Sequence, residues 1–223
     1  MIKFLLFIFF SAIEVVSTVI LMFVVFRMNY FLKFIPHIVF IGLACSYVSY
    51  NLWQSDLGGI SPIIQCAVFF ILVWLLFRIQ VFYALFISTI SYMAYGLIQG
   101  ILTFGFHFMG WLKIEDIGPN TPLAFAMQTL TALITLILSF ILHKLNWGFN
   151  FVPHYEFAPI NMKNDNSLIL FIVILSILVI GLTYYFTIKN NLNVAFNFLV
   201  LCNIIVVLFL LILARRKDRE END

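Results

Sequence analysis

A single acid interrupts the first apolar run of this chain. Glu14 has Ser11 three residues before it and Thr18 four residues after it, so the three share one helical face. A charge at the centre of hydrocarbon costs on the order of 3 kcal/mol on insertion scales. No Lys or Arg is predicted at the depth of Glu14. The carboxyl is therefore protonated, hydrogen-bonded to Tyr, Ser or Gln of other helices, or open to a cavity. An acid in that position reads by default as functional, with a structural hydrogen bond as the alternative.

A second set of polar groups lies in the uncharged stretch Val81–Phe104. Ser88, Tyr92, Tyr95 and Gln99 are spaced by four, three and four residues, which places them on one helical face. Gly96 and Gly100 beside them form a small-xxx-small pair of the kind that admits a neighbouring helix. Lipid cannot solvate such a stripe, so it should face protein or a watery cavity. The sequence thus reads as organised around residues 81–109, the inner wall of a helix bundle.

Other chemistry is not supported. There is no HExxH, no GxSxG, no Walker motif and no pair of glutamates within one span. His37 and Cys45 are eight residues apart, about 12 Å along a helix, too far for an intrahelical Cys–His pair. The sequence reads as non-enzymatic, with no catalytic residue, no metal ligand set and no cofactor. His37 and His143 are expected near one end of the bundle, with His154 in the same connector as His143, and His107 near the other. They cannot form one metal site. Cys45, Cys66 and Cys202 all fall in apolar segments without a CxxC pair. They read as free buried thiols, although Cys45 and Cys66 at similar depth could also pair.

The composition says what positions these groups. Of 223 residues 64% are hydrophobic and 10% charged, with mean hydropathy +1.10. A soluble domain carries about a quarter charged residues; this is the composition of an integral membrane protein. Nucleic-acid binding has no support, because the one basic cluster abuts the end of a span. Met1-Ile2-Lys3 and the apolar run after it resemble a signal peptide. The run continues past Glu14 to Phe26 without an A-x-A site, so it is read as a span.

Seven spans are expected, at about 4–26, 32–52, 60–77, 81–106, 122–142, 167–187 and 193–214. They make an all-α polytopic bundle over residues 1–214, followed by a charged tail, 215–223. Ser61-Pro62 and Thr121-Pro122 look like matching helix starts, a capping hydroxyl followed by proline. The fifth connector, from His143 to Asn166, is rich in aromatics and prolines and suits the membrane surface. With the N-terminus outside, nine basic residues lie in the cytoplasm: Arg27, Lys33, Arg78, Lys144, Lys163, Arg215, Arg216, Lys217 and Arg219. Lys3, Lys113 and Lys189 lie outside. The positive-inside rule selects this orientation.

Depth then follows. Tyr50 and its neighbours Ser46, Ser49, Asn51 and Trp53 fall in the outer half, as do Gln65, Tyr92, Tyr95, Gln99, Gln128, Asn193 and Asn197. Either these groups join helices and mark the interface belt, or they line an outward-opening pocket. The pocket set comprises Glu14, Tyr50, Gln65, Ser88, Tyr92, Tyr95, Gln99, Gln128, Asn193 and Asn197.

The arrangement of short Phe/Ile/Leu-rich spans, tiny outer loops and a charged exit, Ala214-Arg215-Arg216-Lys217-Asp218-Arg219-Glu220, resembles the membrane sensor module of bacterial peptide-sensing histidine kinases of the accessory-gene-regulator type. In that family the exit leads into a signalling helix and a kinase domain, which these 223 residues do not include. The resemblance implies a bacterial cell-membrane sensor. Its ligand, small or peptidic, would shift the packing of the fourth span. Residues 143–166 and 215–223 would report to a cytoplasmic or membrane signalling partner, beside the lipid bilayer itself. The alternatives are a transporter or a transporter's substrate-binding subunit, proton-linked through Glu14, and a structural or assembly protein without ligand. A homo-oligomer is compatible with each.

Overall fold

Apolar residues run almost unbroken from Ile2 to Phe26 with no Gly or Pro among them, and they form one helix. The computed structural model describes residues 2–28, 31–55, 57–112, 118, 120–150, 174, 202–209 and 211–216. It is helical, with no strand among the described residues. The helices are α1 (Ile2–Val25), α2 (Ile35–Gln54), α3 (Ser61–Phe77), α4 (Val81–Phe108) and α5 (Pro122–Lys144). Residues 202–209 and 211–216 are also helical. Of the five, α1, α2, α4 and α5 are long and apolar enough to cross a membrane. α3, at 17 residues, rises about 26 Å, slightly less than the hydrocarbon thickness.

The helix ends follow from local chemistry. α1 stops where Arg27 turns left-handed (φ 44°), and Met28 N–H closes on Phe23 O at 2.9 Å. α3 ends the same way at Arg78 (φ 53°), leaving two residues before α4 begins. At the end of α4, Gly110 takes φ +73°, and Trp111 N–H bonds back to Phe106 O at 3.0 Å. Such a left-handed residue returns N–H groups to the last open carbonyls. The two serine/threonine–proline starts behave differently. Thr121 caps α5: its Oγ1 accepts from Ala124 N–H at 3.2 Å, with Pro122 opening the helix. Ser61 does not cap α3. It is already the first helical residue, and its hydroxyl lies 3.4 Å from that of Ser49 on α2.

α1 packs against α2, α4 and α5, while α3 packs against α2 and α4. The expectation of an α4-centred chain is therefore corrected: α1, wedged between α2 and α5, is the hub. α1 meets α2 closely at Gly42, where a Cβ would fall 2.9 Å from Val16 Cγ2 and 3.2 Å from Ala12 O. α1 and α5 run parallel, and their ends meet: Phe149 N–H donates to Val25 O at 2.8 Å, and Arg27 donates to Asn146 O.

Around this end the core is apolar. Val19, Met22, Phe26, Phe69, Val73, Phe86 and Ile87 are buried together, joined by Val206, Val207, Leu213 and Ala214 of the C-terminal helical residues. Phe77 stands edge-on to Phe23 at 5.0 Å and to Phe34 at 5.3 Å. The outside is apolar too. Phe9 is 59% exposed and Phe140 67%, which suits contact with lipid tails. The sixth expected span, 167–187, apart from Ile174, lies outside the described residues. So do Asn193 and Asn197, residues 151–166 and the tail beyond Arg216.

Candidate functional site

A cavity of about 420 Å³ occupies the other end of the bundle, where α1, α3 and α5 begin and α2 and α4 end. α1 contributes Phe7, Ser11 and Glu14. α2 contributes Ser49 and Trp53, and α3 Ser61, Pro62 and Gln65. α4 supplies Tyr92, Met93, Tyr95, Gly96, Gln99 and Thr103. α5 supplies Ala124, Phe125, Met127 and Gln128, and Asn203 comes from the C-terminal helical residues. Gly118 and Asn120 of the connector complete the wall.

Among the described residues, Glu14 is the only ionisable acid or base in this wall apart from the tyrosine phenols. Halfway along α1, it is the deepest acid of the bundle's described part and is half-buried at the cavity. The Gln128 side chain hydrogen-bonds it. A carboxylate only accepts, so the Gln128 amide NH₂ is the donor and its Oε1 points away. That Oε1 has no partner among the described residues, nor have Tyr95 Oη and Asn120 Oδ1. All three belong to residues of the cavity wall, and Tyr95 as a whole is only 3% exposed. A buried polar atom without a partner costs about 1–3 kcal/mol, so such a cluster marks a place that the apolar packing does not satisfy. Below Glu14 a void of about 10 Å³ between Val15, Cys45, Phe69 and Tyr92 reaches toward the sealed core.

The hydroxyls behave differently from the amides. On α5, Thr131 bonds Met127 O, Thr135 bonds Thr131 O and Ser139 bonds Thr135 O, each at 2.8 Å. On α1, Ser17 and Thr18 both donate to Glu14 O, at 2.7 and 3.0 Å. Ser and Thr reach the carbonyl one turn back. These hydroxyls therefore satisfy themselves within their own helix and do not join helices. The Ser49–Ser61 contact is the interhelical one between hydroxyls among the described residues.

Six expected pocket residues come together in the wall: Glu14, Gln65, Tyr92, Tyr95, Gln99 and Gln128. Two do not. Tyr50 packs its ring edge-on against Phe4 at 4.8 Å and Phe7 at 5.5 Å. Ser88 is fully buried one turn deeper and donates to Leu85 O at 3.1 Å. Asn193 and Asn197 lie outside the described residues. The packing expectation for Gly96 is corrected as well: a Cβ there meets nothing within 4 Å, because Gly96 borders the cavity. Gly42 makes the close helix contact instead.

Ser11, Ser61, Thr103, Asn120 and Asn203 were not in the expected set, yet they line the wall. Thr103 follows Gln99 by four residues and extends its face, and Asn203 is an amide in an apolar run. Both signals were present in the sequence.

Cys45, Cys66 and Cys202 are free. His107 bonds Leu112 O at 3.0 Å through Nδ1, while His37 lies against the Phe34 and Phe77 rings at the opposite end. No group of three His, Cys, Asp or Glu that could hold a metal occurs among the described residues. In comparisons with known proteins, no family model, no curated protein and no solved structure matches the chain.

Proposed function

We propose that this chain is a non-enzymatic membrane sensor of seven spans, N-terminus outside, whose cavity receives a small ligand from the outer side. The observation that carries the reading is a cavity of about 420 Å³ with polar groups in its wall and a carboxyl at its floor. Cavities of about 300–1,000 Å³ suit drug-sized ligands, so a small molecule or the side chain of a short peptide fits. A purely structural bundle has no need of such a space.

The route from ligand to cytoplasm follows α1 and α5. Both contribute to the cavity, and both end at the ties Phe149–Val25 and Arg27–Asn146. A ligand that moves α1 against α5 changes those ties, and the connector that begins at Leu145 carries the change to a cytoplasmic or membrane partner.

A transporter is the second reading, and Glu14 at the cavity floor is the observation that favours it. The aromatic core beneath would have to open for passage, and in this conformation the void below Glu14 holds no more than about one water. Sensing therefore fits better. Gln99→Leu and Tyr95→Phe should alter the ligand response of a downstream reporter while the purified protein keeps its unfolding temperature. An unaltered response in both variants removes the pocket from the account. Solute uptake into liposomes that is lost in Glu14→Gln would replace the sensor with the transporter.

A further inference from the structure

Several oxygen atoms in the cavity wall lack partners, beside amide, indole and phenol groups that can also donate. Glu14 offers carboxylate oxygens, of which Gln128 satisfies part. Gln128 Oε1 and Asn120 Oδ1 are unpartnered acceptors, and Tyr95 Oη is unpartnered and can accept. Gln128 Oε1 is the amide atom left open. Among the described residues, no Lys, Arg or His lines the space to neutralise the acid. Five aromatic rings, Phe7, Trp53, Tyr92, Tyr95 and Phe125, stand in the same wall.

We infer that the cavity is selective for a small organic cation, an ammonium with an apolar or aromatic body, with Glu14 as its counter-charge. The inference rests on the cavity being a ligand site. An ammonium brings three N–H donors and no acceptor, which answers the unpartnered oxygens of Gln128 and Asn120. Its charge answers Glu14 in a charge-assisted hydrogen bond, stronger than a neutral one. Aromatic faces attract a desolvated cation. A carboxylate ligand would meet the opposite conditions: like charge at the floor and, among the described residues, no basic side chain. A bare metal ion would use the oxygens but leave most of 420 Å³ and the rings without a role.

The test uses the full chain in nanodiscs and three probes of equal shape: phenethylammonium, 2-phenylethanol and phenylacetate. Binding is measured by calorimetry or by ligand-observed NMR. The ammonium should bind about tenfold or more tighter than the alcohol, the increment of one charge-assisted bond, and phenylacetate should bind weakest. Glu14→Gln should remove the preference while alcohol binding persists, and Phe140→Leu on the outer face of α5 should leave the preference in place. Equal binding of the three probes overturns the cation inference and leaves the cavity as a ligand site. Absence of binding by all three overturns both. A preference that survives Glu14→Gln overturns the role of that residue. The probe series on the unaltered chain needs no variant to fold.

Discussion

Where α1 finishes, Phe23, Phe26, Phe77 and Phe86 pack ring against ring, and the core they belong to is apolar. Where α1 starts, Ser11, Gln65, Gln99 and Gln128 surround open space. The same five helices build both ends, so the difference comes from side chains. It shows which polar residues an apolar bundle absorbs. Most of the buried Ser and Thr disappear into their own helices by bonding the carbonyl one turn back, as Thr131, Thr135 and Ser139 do, while Thr89 Oγ1 finds no partner among the described residues. Gln and Tyr carry their polar atoms farther from the backbone. In this bundle Gln128 and Tyr95 leave atoms unpartnered beside a cavity. The polar end is therefore a consequence of amides, phenols and one carboxyl, more than of hydroxyls.

The largest effect should come from breaking the sealed end. Phe86 is buried and faces Phe26 at 6.2 Å, and Phe86→Ala should destabilise the protein by on the order of 3 kcal/mol through the void left behind. Thermal unfolding in detergent reads this. A change no greater than that of a lipid-facing substitution such as Phe140→Ala would mean that the aromatic core is not tightly packed.

Gly42→Leu should come next. Its Cβ would press on Val16 and on the Ala12 carbonyl, at a cost of about 1–3 kcal/mol for overpacking. Unfolding temperature checks it again, and an unchanged value would contradict the close α1–α2 crossing. The smallest effect is at the open end. Gly96→Ala adds a methyl to empty space and removes a flexible residue from α4, so stability should hold or rise by up to about 1 kcal/mol. A loss of stability there would show a helix seated against Gly96. Together the two glycines separate the halves: one methyl is tolerated at the cavity, and extra bulk is not tolerated at the crossing.

Much of the helical frame was legible in residue order. The five apolar stretches became α1–α5 with ends within a few residues of expectation, because proline starts and left-handed stops are local signals. Six wall residues were legible for the same kind of reason. A carboxyl, a long amide or a phenol in an apolar run has few places to go. Ser88 misled because a hydroxyl can be silenced by its own helix. Tyr50 misled because its ring found aromatic neighbours on α1, a contact between helices that spacing along one helix does not encode. The Gly96 spacing suggested a packing seam for the same reason: a small residue permits close approach, but only the partner helix decides whether it happens. The hub position of α1 was equally illegible. It depends on α5 folding back beside α1 and on the loop at 145–150 docking at Val25 and Arg27.

Access from one side is the central claim, and thiol labelling tests it most directly. Gln99→Cys and Ile87→Cys are placed singly in a chain whose Cys45, Cys66 and Cys202 are replaced by alanine. Intact cells are then treated with a membrane-impermeant thiol reagent. Gln99 lines the cavity, while Ile87, three turns deeper on α4, is fully buried. The account predicts labelling at position 99 from outside and none at position 87. Labelling at 99 only after the cells are permeabilised, or equal labelling at both positions, would contradict it.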